Sequence, residues 1–133
     1  MSGPVREIER IVNYCDTDAG GVVYYARYLE FFEAGRMDYL HAIGCDPIEC
    51  HRQGIFFAVR EVHATYKASA RLGHRLTVRS AVSETTRFHM TFHSEILDSS
   101  SGKVLVESDI KCVCVSPEGK LLRLPEAIAR AQS

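Results

Sequence analysis

From residue 14 to residue 25 the chain reads Tyr-Cys-Asp-Thr-Asp-Ala-Gly-Gly-Val-Val-Tyr-Tyr. Two carboxylates, Asp16 and Asp18, stand ahead of the Gly20–Gly21 pair, which opens onto a stretch of helical character. Unpaired backbone N–H groups and the positive end of the dipole gather at a helix start. Glycines let a ligand approach the backbone closely. A carboxylate nucleophile or base beside such an oxyanion site is what hydrolysis of an activated acyl group requires. A simpler reading is that Asp16, Thr17 or Asp18 caps the helix. A magnesium site at Asp16-x-Asp18 is the weakest of the three, because no phosphate-binding loop accompanies it. The residues alone leave capping and hydrolysis open.

The elements around this segment are legible from periodicity. Residues 6 to 14 alternate, with Ile8, Val12 and Tyr14 on one side and Glu7, Glu9 and Asn13 on the other, which predicts a first strand. Cys15 to Gly21 has the composition of a loop. Val23 to Ile43 lacks proline and repeats Tyr24, Tyr28, Phe31 and Tyr25, Leu29, Phe32 at helical offsets, with Gly44 as a stop. Apolar residues surround most of this helix, so deep burial is expected. A short helix follows over roughly Pro47 to Gln53. Strands are predicted at 56–67, 75–84, 87–97 and 103–116. In the third, Phe88, Met90, Phe92 and Ile96 share one face while His89, Thr91, His93 and Glu95 share the other. In the last long strand Val104, Val106, Ile110, Cys112 and Cys114 share a face. Leu121 to Leu124 adds a short strand, and Pro125 starts a final helical turn. An antiparallel sheet with one apolar face needs a cover. One long apolar helix is the candidate, so the expected fold is α+β: a curved antiparallel sheet around one central helix, the hotdog arrangement.

Composition sets the outer limits. The 133 residues suit one domain, expected to span 1–133. Lys plus Arg number 16 against 17 Asp plus Glu, a formal charge of −1 that argues against a broad nucleic-acid or membrane surface. The longest apolar run, Gly20 to Ala26, falls far short of the ~20 residues of a membrane span. Five cysteines without a C-x-x-C pair do not form a secreted disulfide framework. The opening residues lack a signal-peptide core, so a cytoplasmic address is expected.

The stretch Asp16-Thr17-Asp18-Ala19-Gly20-Gly21-Val22-Val23-Tyr24 resembles the signature of the 4-hydroxybenzoyl-CoA thioesterase family of hotdog proteins. It is closest to the bacterial acyl-CoA thioesterases associated with the Tol-Pal system. The likeness continues through Tyr28, Phe31, Glu33 and Arg36, and more loosely across Tyr66 to Leu72 and the strands to Val115. It implies an acyl-CoA thioesterase in which Asp18 attacks the thioester carbonyl or activates water. The backbone N–H of Tyr25, in the first helical turn, would polarise the thioester oxygen, with Gly20, Gly21 and Tyr24 against the substrate. Asp16 would shape the loop. Coenzyme A is then part of the substrate, and no metal or separate cofactor is implied. The resemblance also implies a homodimer joined edge to edge, with clefts at the interface, and pairing of dimers into a homotetramer. Tyr25 stands where close relatives often carry His, so a His-assisted step is not expected. A hotdog dehydratase or isomerase, which would want that His, is correspondingly weaker. A non-catalytic acyl-thioester or protein-binding module is the remaining alternative. His74 stands in a turn where relatives frequently carry an acid, and no function follows from it.

Other chemistry-bearing residues read as structural. Glu33 is expected to pair with Arg36 at i+3. His89 and His93 share a strand face about 13 Å apart, too far to share one ion. His41 and His51 lack partners at ligand spacing. Cys112 and Cys114 are expected as buried core thiols. For the coenzyme A phosphates, Arg87, Lys67 and Arg71 are the candidate cations.

Overall fold

The computed structural model describes residues 3–132. Six antiparallel strands form one sheet: β1 (Val5–Ile11), β2 (Phe56–Tyr66), β3 (Arg75–Thr85), β4 (His89–Asp98), β5 (Val104–Val115) and β6 (Leu121–Leu122). Their order is β1-β3-β4-β5-β2, with β6 pairing the end of β5. Helix α1 (Arg27–Ala42) packs across one face, followed by α2 (Pro47–Arg52); α3 (Glu126–Ala131) ends the described chain. This is the expected hotdog fold.

Two boundaries differ from the sequence reading in ways that matter. The first strand ends at Ile11, and Tyr14 enters a single 3-10 turn, Tyr14–Asp16, with its ring 82% exposed. Alternation groups Tyr14 with Ile8 and Val12, but the chain leaves the sheet before that residue. The long helix begins at Arg27, not Val23. Val23 pairs instead with Thr17 across a small hairpin, and its N–H donates to the Ala70 carbonyl at 2.9 Å. Backbone pairing to a distant segment thus outweighs the helical spacing of the tyrosines. The other boundaries shift by a residue or two: Asp46 caps α2 through the Ile48 N–H, and Pro125 stands just before α3. Phe88 precedes β4 and is 39% exposed, while Met90, Phe92 and Ile96 are fully buried.

The core forms where α1 meets the sheet. Phe32 and Tyr39 on the helix are fully buried, and Tyr39 meets Phe92 edge-on with ring centroids 5.3 Å apart. Val106, Ile110, Cys112 and Cys114 are buried on β5, as their alternation predicts, whereas Val104 is only half-buried, because the register shifts between it and Val106. Burial pushes the Cys114 thiol up to about 12, consistent with an inert core thiol.

A stripe of small residues sets how closely the helix approaches. Ser80, Ser94 and Ser108 lie directly opposite one another on β3, β4 and β5, all buried. The Ser94 hydroxyl donates to that of Ser80 at 3.3 Å, and the Ser108 hydroxyl donates to the Ser94 carbonyl at 3.5 Å. Above them Gly35 exposes backbone: a Cβ there would stand 2.7 Å from Ser80 Oγ and 3.0 Å from a Val78 methyl. Gly35→Ala should therefore destabilise the fold despite the ~1 kcal/mol gain in helix propensity. Overpacking costs about 1–3 kcal/mol, giving an expected net loss of up to about 2 kcal/mol in urea denaturation. A stabilised variant would contradict the close approach.

Candidate active site

The site begins with a hairpin folded by its own backbone. The Asp18 N–H donates to the Val22 carbonyl at 2.9 Å, and the Gly21 N–H returns to the Asp18 carbonyl at 3.1 Å. Gly21 takes φ +80°, a left-handed conformation that suits glycine. The Asp18 carboxylate braces the turn: its Oδ1 accepts from the Gly20 N–H at 2.8 Å and the Val22 N–H at 3.4 Å. Oδ2 has no partner among the described residues, and the side chain is exposed. One oxygen is thus held while the other is free to react.

Asp16 does a different job. It is 3% exposed, and its carboxylate accepts from the Asn13 N–H at 2.8 Å and from Arg27 at 2.7 and 3.2 Å. Its carbonyl accepts the Tyr24 N–H at 2.9 Å. The first residue of α1 is thereby tied to the loop that precedes it. Neither Asp16, Thr17 nor Asp18 caps the helix: the N-cap position is Ala26, with no side-chain cap. The capping reading falls, and Asp16 shapes the loop through Arg27, a partner that spacing does not reveal.

Tyr25 lies two residues before α1, not in its first turn as expected. The Arg27 N–H donates to the Tyr24 carbonyl at 2.8 Å, closing a turn with Tyr25 and Ala26 at its centre. The Tyr25 N–H has no acceptor among the described residues, and the residue is 62% exposed. Its ring lies 6.4 Å from that of Tyr66 at the end of β2, and Tyr28 is 5.6 Å from the same ring. The Tyr28 hydroxyl accepts from the buried Ala70 N–H at 2.9 Å, which fixes the 67–71 segment against the helix. Tyr25, Tyr28, Tyr66 and Lys67 line a cavity of about 260 Å³ that the Asp18 side chain does not reach.

The candidate cations separate. Lys67 joins that cavity and faces Glu107 at 3.7 Å. Arg71 is exposed beside the hairpin, bridged to Val22, with its N–H donating to His74 Nδ1 at 3.1 Å. Arg87 is not brought there within one chain. The hairpin follows Ile11, which pairs with Arg75 at the start of β3, whereas Arg87 lies beyond the other end of that strand.

The expected Glu33–Arg36 pair does not form. Glu33 is exposed, whereas Arg36 is 9% exposed and turns toward the sheet. Burial of the arginine stem between helix and strands outweighs a weak i,i+3 attraction. Arg36 forms no hydrogen bond or ion pair with any described residue, and its Nη1 is shut off from solvent. It lines a groove of about 460 Å³ with Glu33, Met37, Phe57 and Cys112. Burial pushes the Cys112 thiol up, and the Arg36 charge pulls it the other way. His93, Glu95 and Glu107 offer atoms within 4.8 Å of one another on β4 and β5, the one group of three among the described residues able to hold a metal ion. Their carboxylates already face Arg79 at 3.5 Å and Lys67 at 3.7 Å.

Asp16 carries a pH signature. Desolvation alone would raise its pKa, but the Asn13 N–H and the Arg27 guanidinium together hold it below the ordinary 3.8. A carboxyl group depressed by folding stabilises fully above its unfolded value, and loses that contribution as pH falls through its folded value. Asp16→Asn should cost about 2–4 kcal/mol at pH 7, somewhat under the usual cost of breaking a fully buried pair because Arg27 is 33% exposed. The gap between mutant and wild type in urea denaturation should narrow below pH 3.8. A gap independent of pH would contradict the ion pair.

Comparison with known proteins agrees with this architecture. Residues 12–132 match the thioesterase-like superfamily. An acyl-CoA thioesterase YbgC of Haemophilus influenzae is 36% identical over 116 residues, covering 86% of this chain and 80% of that protein. An acyl-CoA thioester hydrolase YbgC of Escherichia coli is 32% identical over 118 residues, covering 88% and 87%. The crystal structure of a probable thioesterase from Bartonella henselae superposes with a TM-score of 0.86 at 31% identity, over 92% of this chain and 100% of that one. With the fold, the hairpin and these likenesses in agreement, the chain belongs to the thioesterase-like superfamily of hotdog proteins.

Proposed function

We propose that this protein hydrolyses an acyl-CoA thioester to a carboxylic acid and free coenzyme A, with the Asp18 carboxylate and the Tyr25 N–H as its working groups. The observation that carries the reading is that one braced loop leaves both groups without partners. Asp18 offers a free oxygen, and two residues before α1 an N–H stands without an acceptor, close to the positive end of the helix dipole. That donor stabilises charge developing on the thioester oxygen. Asp18 then acts in one of two ways. It attacks the carbonyl, releasing coenzyme A thiolate and leaving an anhydride that water cleaves; or it takes a proton from the water that attacks. Lys67 and Arg71, flanking the loop, supply charge for the coenzyme A phosphates, and Gly20, Gly21 and Tyr24 line the approach.

The edge strand β2 leaves Val59, Val62 and Tyr66 between 43% and 49% exposed. Unpaired strand edges are satisfied by a second copy, giving a homodimer and, by further pairing, a homotetramer. Clefts would then form at the shared edge, where Tyr66 already meets Tyr25. The five free thiols suit a cytoplasmic enzyme.

Release of free thiol from a panel of acyl-CoAs measures the activity, and a series at residue 25 tests the donor. Tyr25→Phe keeps ring and N–H and should lose less than about tenfold, ~1.4 kcal/mol. Tyr25→Pro removes the donor at the second position of a turn, where proline is well accommodated. It should cost roughly 10²–10³ in turnover. Tyr25→Ala loses the ring but keeps the donor and should fall between them. If Phe is as inactive as Pro, the phenol is the working group instead. Sedimentation at micromolar concentration should show a dimer or larger; a stable, active monomer of 14.9 kDa would contradict the shared cleft.

A further inference from the structure

The groove that holds Arg36 lies between the second half of α1, α2 and the inner face of β2, β4 and β5. Met37, Leu40, Ile48, Phe57, Met90 and Phe92 make its walls largely apolar, a surface fit for an acyl chain or ring. Arg36 breaks that pattern. A guanidinium has five N–H donors and does not deprotonate in proteins. Here it is 9% exposed without one hydrogen-bond or ion-pair partner among the described residues. An unpaired buried charge is strongly unfavourable, so a site that retains one is complete only when an acceptor arrives. The neighbours do not supply it. Glu33 shares the groove but stands outside ion-pair distance, and His51 and Arg52 add further donors at the rim.

We infer that this groove binds acyl groups bearing an oxygen acceptor at their far end, a carboxylate foremost, and that Arg36 is the residue that selects them. The inference rests on the thioesterase reading above for its substrate, but not for the binding chemistry. A carboxylate matches the guanidinium fork with two parallel hydrogen bonds. A plain alkyl end would leave the guanidinium unpaired, and sites built to hydrogen-bond a group discriminate well against analogues that lack it.

The test compares adipoyl-CoA with hexanoyl-CoA, equal in carbon number and different at the far end. Wild-type kcat/KM should favour adipoyl-CoA by about tenfold or more. Arg36→Met should abolish or reverse that ratio, and Arg36→Lys, which keeps the charge but not the fork, should fall between. A separate measurement needs no hydrolysis: thermal denaturation of the wild type with the uncleavable thioethers S-(5-carboxypentyl)-CoA or S-hexyl-CoA at matched concentration, which differ only in the far-end carboxylate. The carboxypentyl thioether should raise Tm by the larger margin, and the margin should vanish in Arg36→Met. If the carboxypentyl thioether binds through Arg36 but no acyl-CoA is cleaved, the pocket stands and the thioesterase reading fails. If wild type treats the two ligands alike in Tm, or the kcat/KM ratio survives in Arg36→Met, the inference is overturned. The wild-type Tm comparison decides the matter even where Arg36→Met does not fold.

Discussion

The ion pair between Asp16 and Arg27 is the constraint on which the site depends. A carboxylate removed from water costs several kcal/mol, so such a pair adds little net stability. What it fixes is position. Asp16 grips Arg27, the first residue of α1, while its backbone grips Asn13 and Tyr24. The chain is held on both sides of the Asp18 hairpin. That arrangement leaves the Asp18 Oδ2 and the Tyr25 N–H without partners among the described residues. Reactive groups unpaired within a rigid frame are what preorganised catalysis requires.

The same helix serves a second purpose farther along. Gly35 and the serine stripe beneath it let α1 lie close to the sheet, and Arg36 follows directly. Close approach at Gly35 draws the neighbouring arginine out of solvent and into the groove beside Cys112. The start of α1 therefore borders the Asp18 loop, and its second half borders the Arg36 groove. Edge strand β2 borders both places, through Tyr66 at one end and Phe57 at the other.

Much of this was legible in the sequence because it rests on local spacing. Alternation placed Met90, Phe92, Ile96, Val106 and Cys112 on the buried face, and one long apolar helix against one antiparallel sheet was enough for the hotdog architecture. The Asp-x-Asp-Ala-Gly-Gly segment marked the loop. Misreadings arose wherever a partner distant in sequence decided the outcome. Val23 left the helix because Thr17 and Ala70 pair with its backbone. Arg36 left Glu33 because the sheet buries it. Arg27 and Tyr28 matter through Asp16 and Ala70, contacts that periodicity does not encode.

The most direct measurement is turnover of acyl-CoA by Asp18→Asn. The amide keeps an oxygen to accept from the Gly20 and Val22 N–H groups, so the hairpin persists while the negative charge is lost. The account predicts a fall of several orders of magnitude in thiol release, with unchanged circular dichroism and an unchanged urea midpoint. Turnover close to wild type in that folded variant would contradict it.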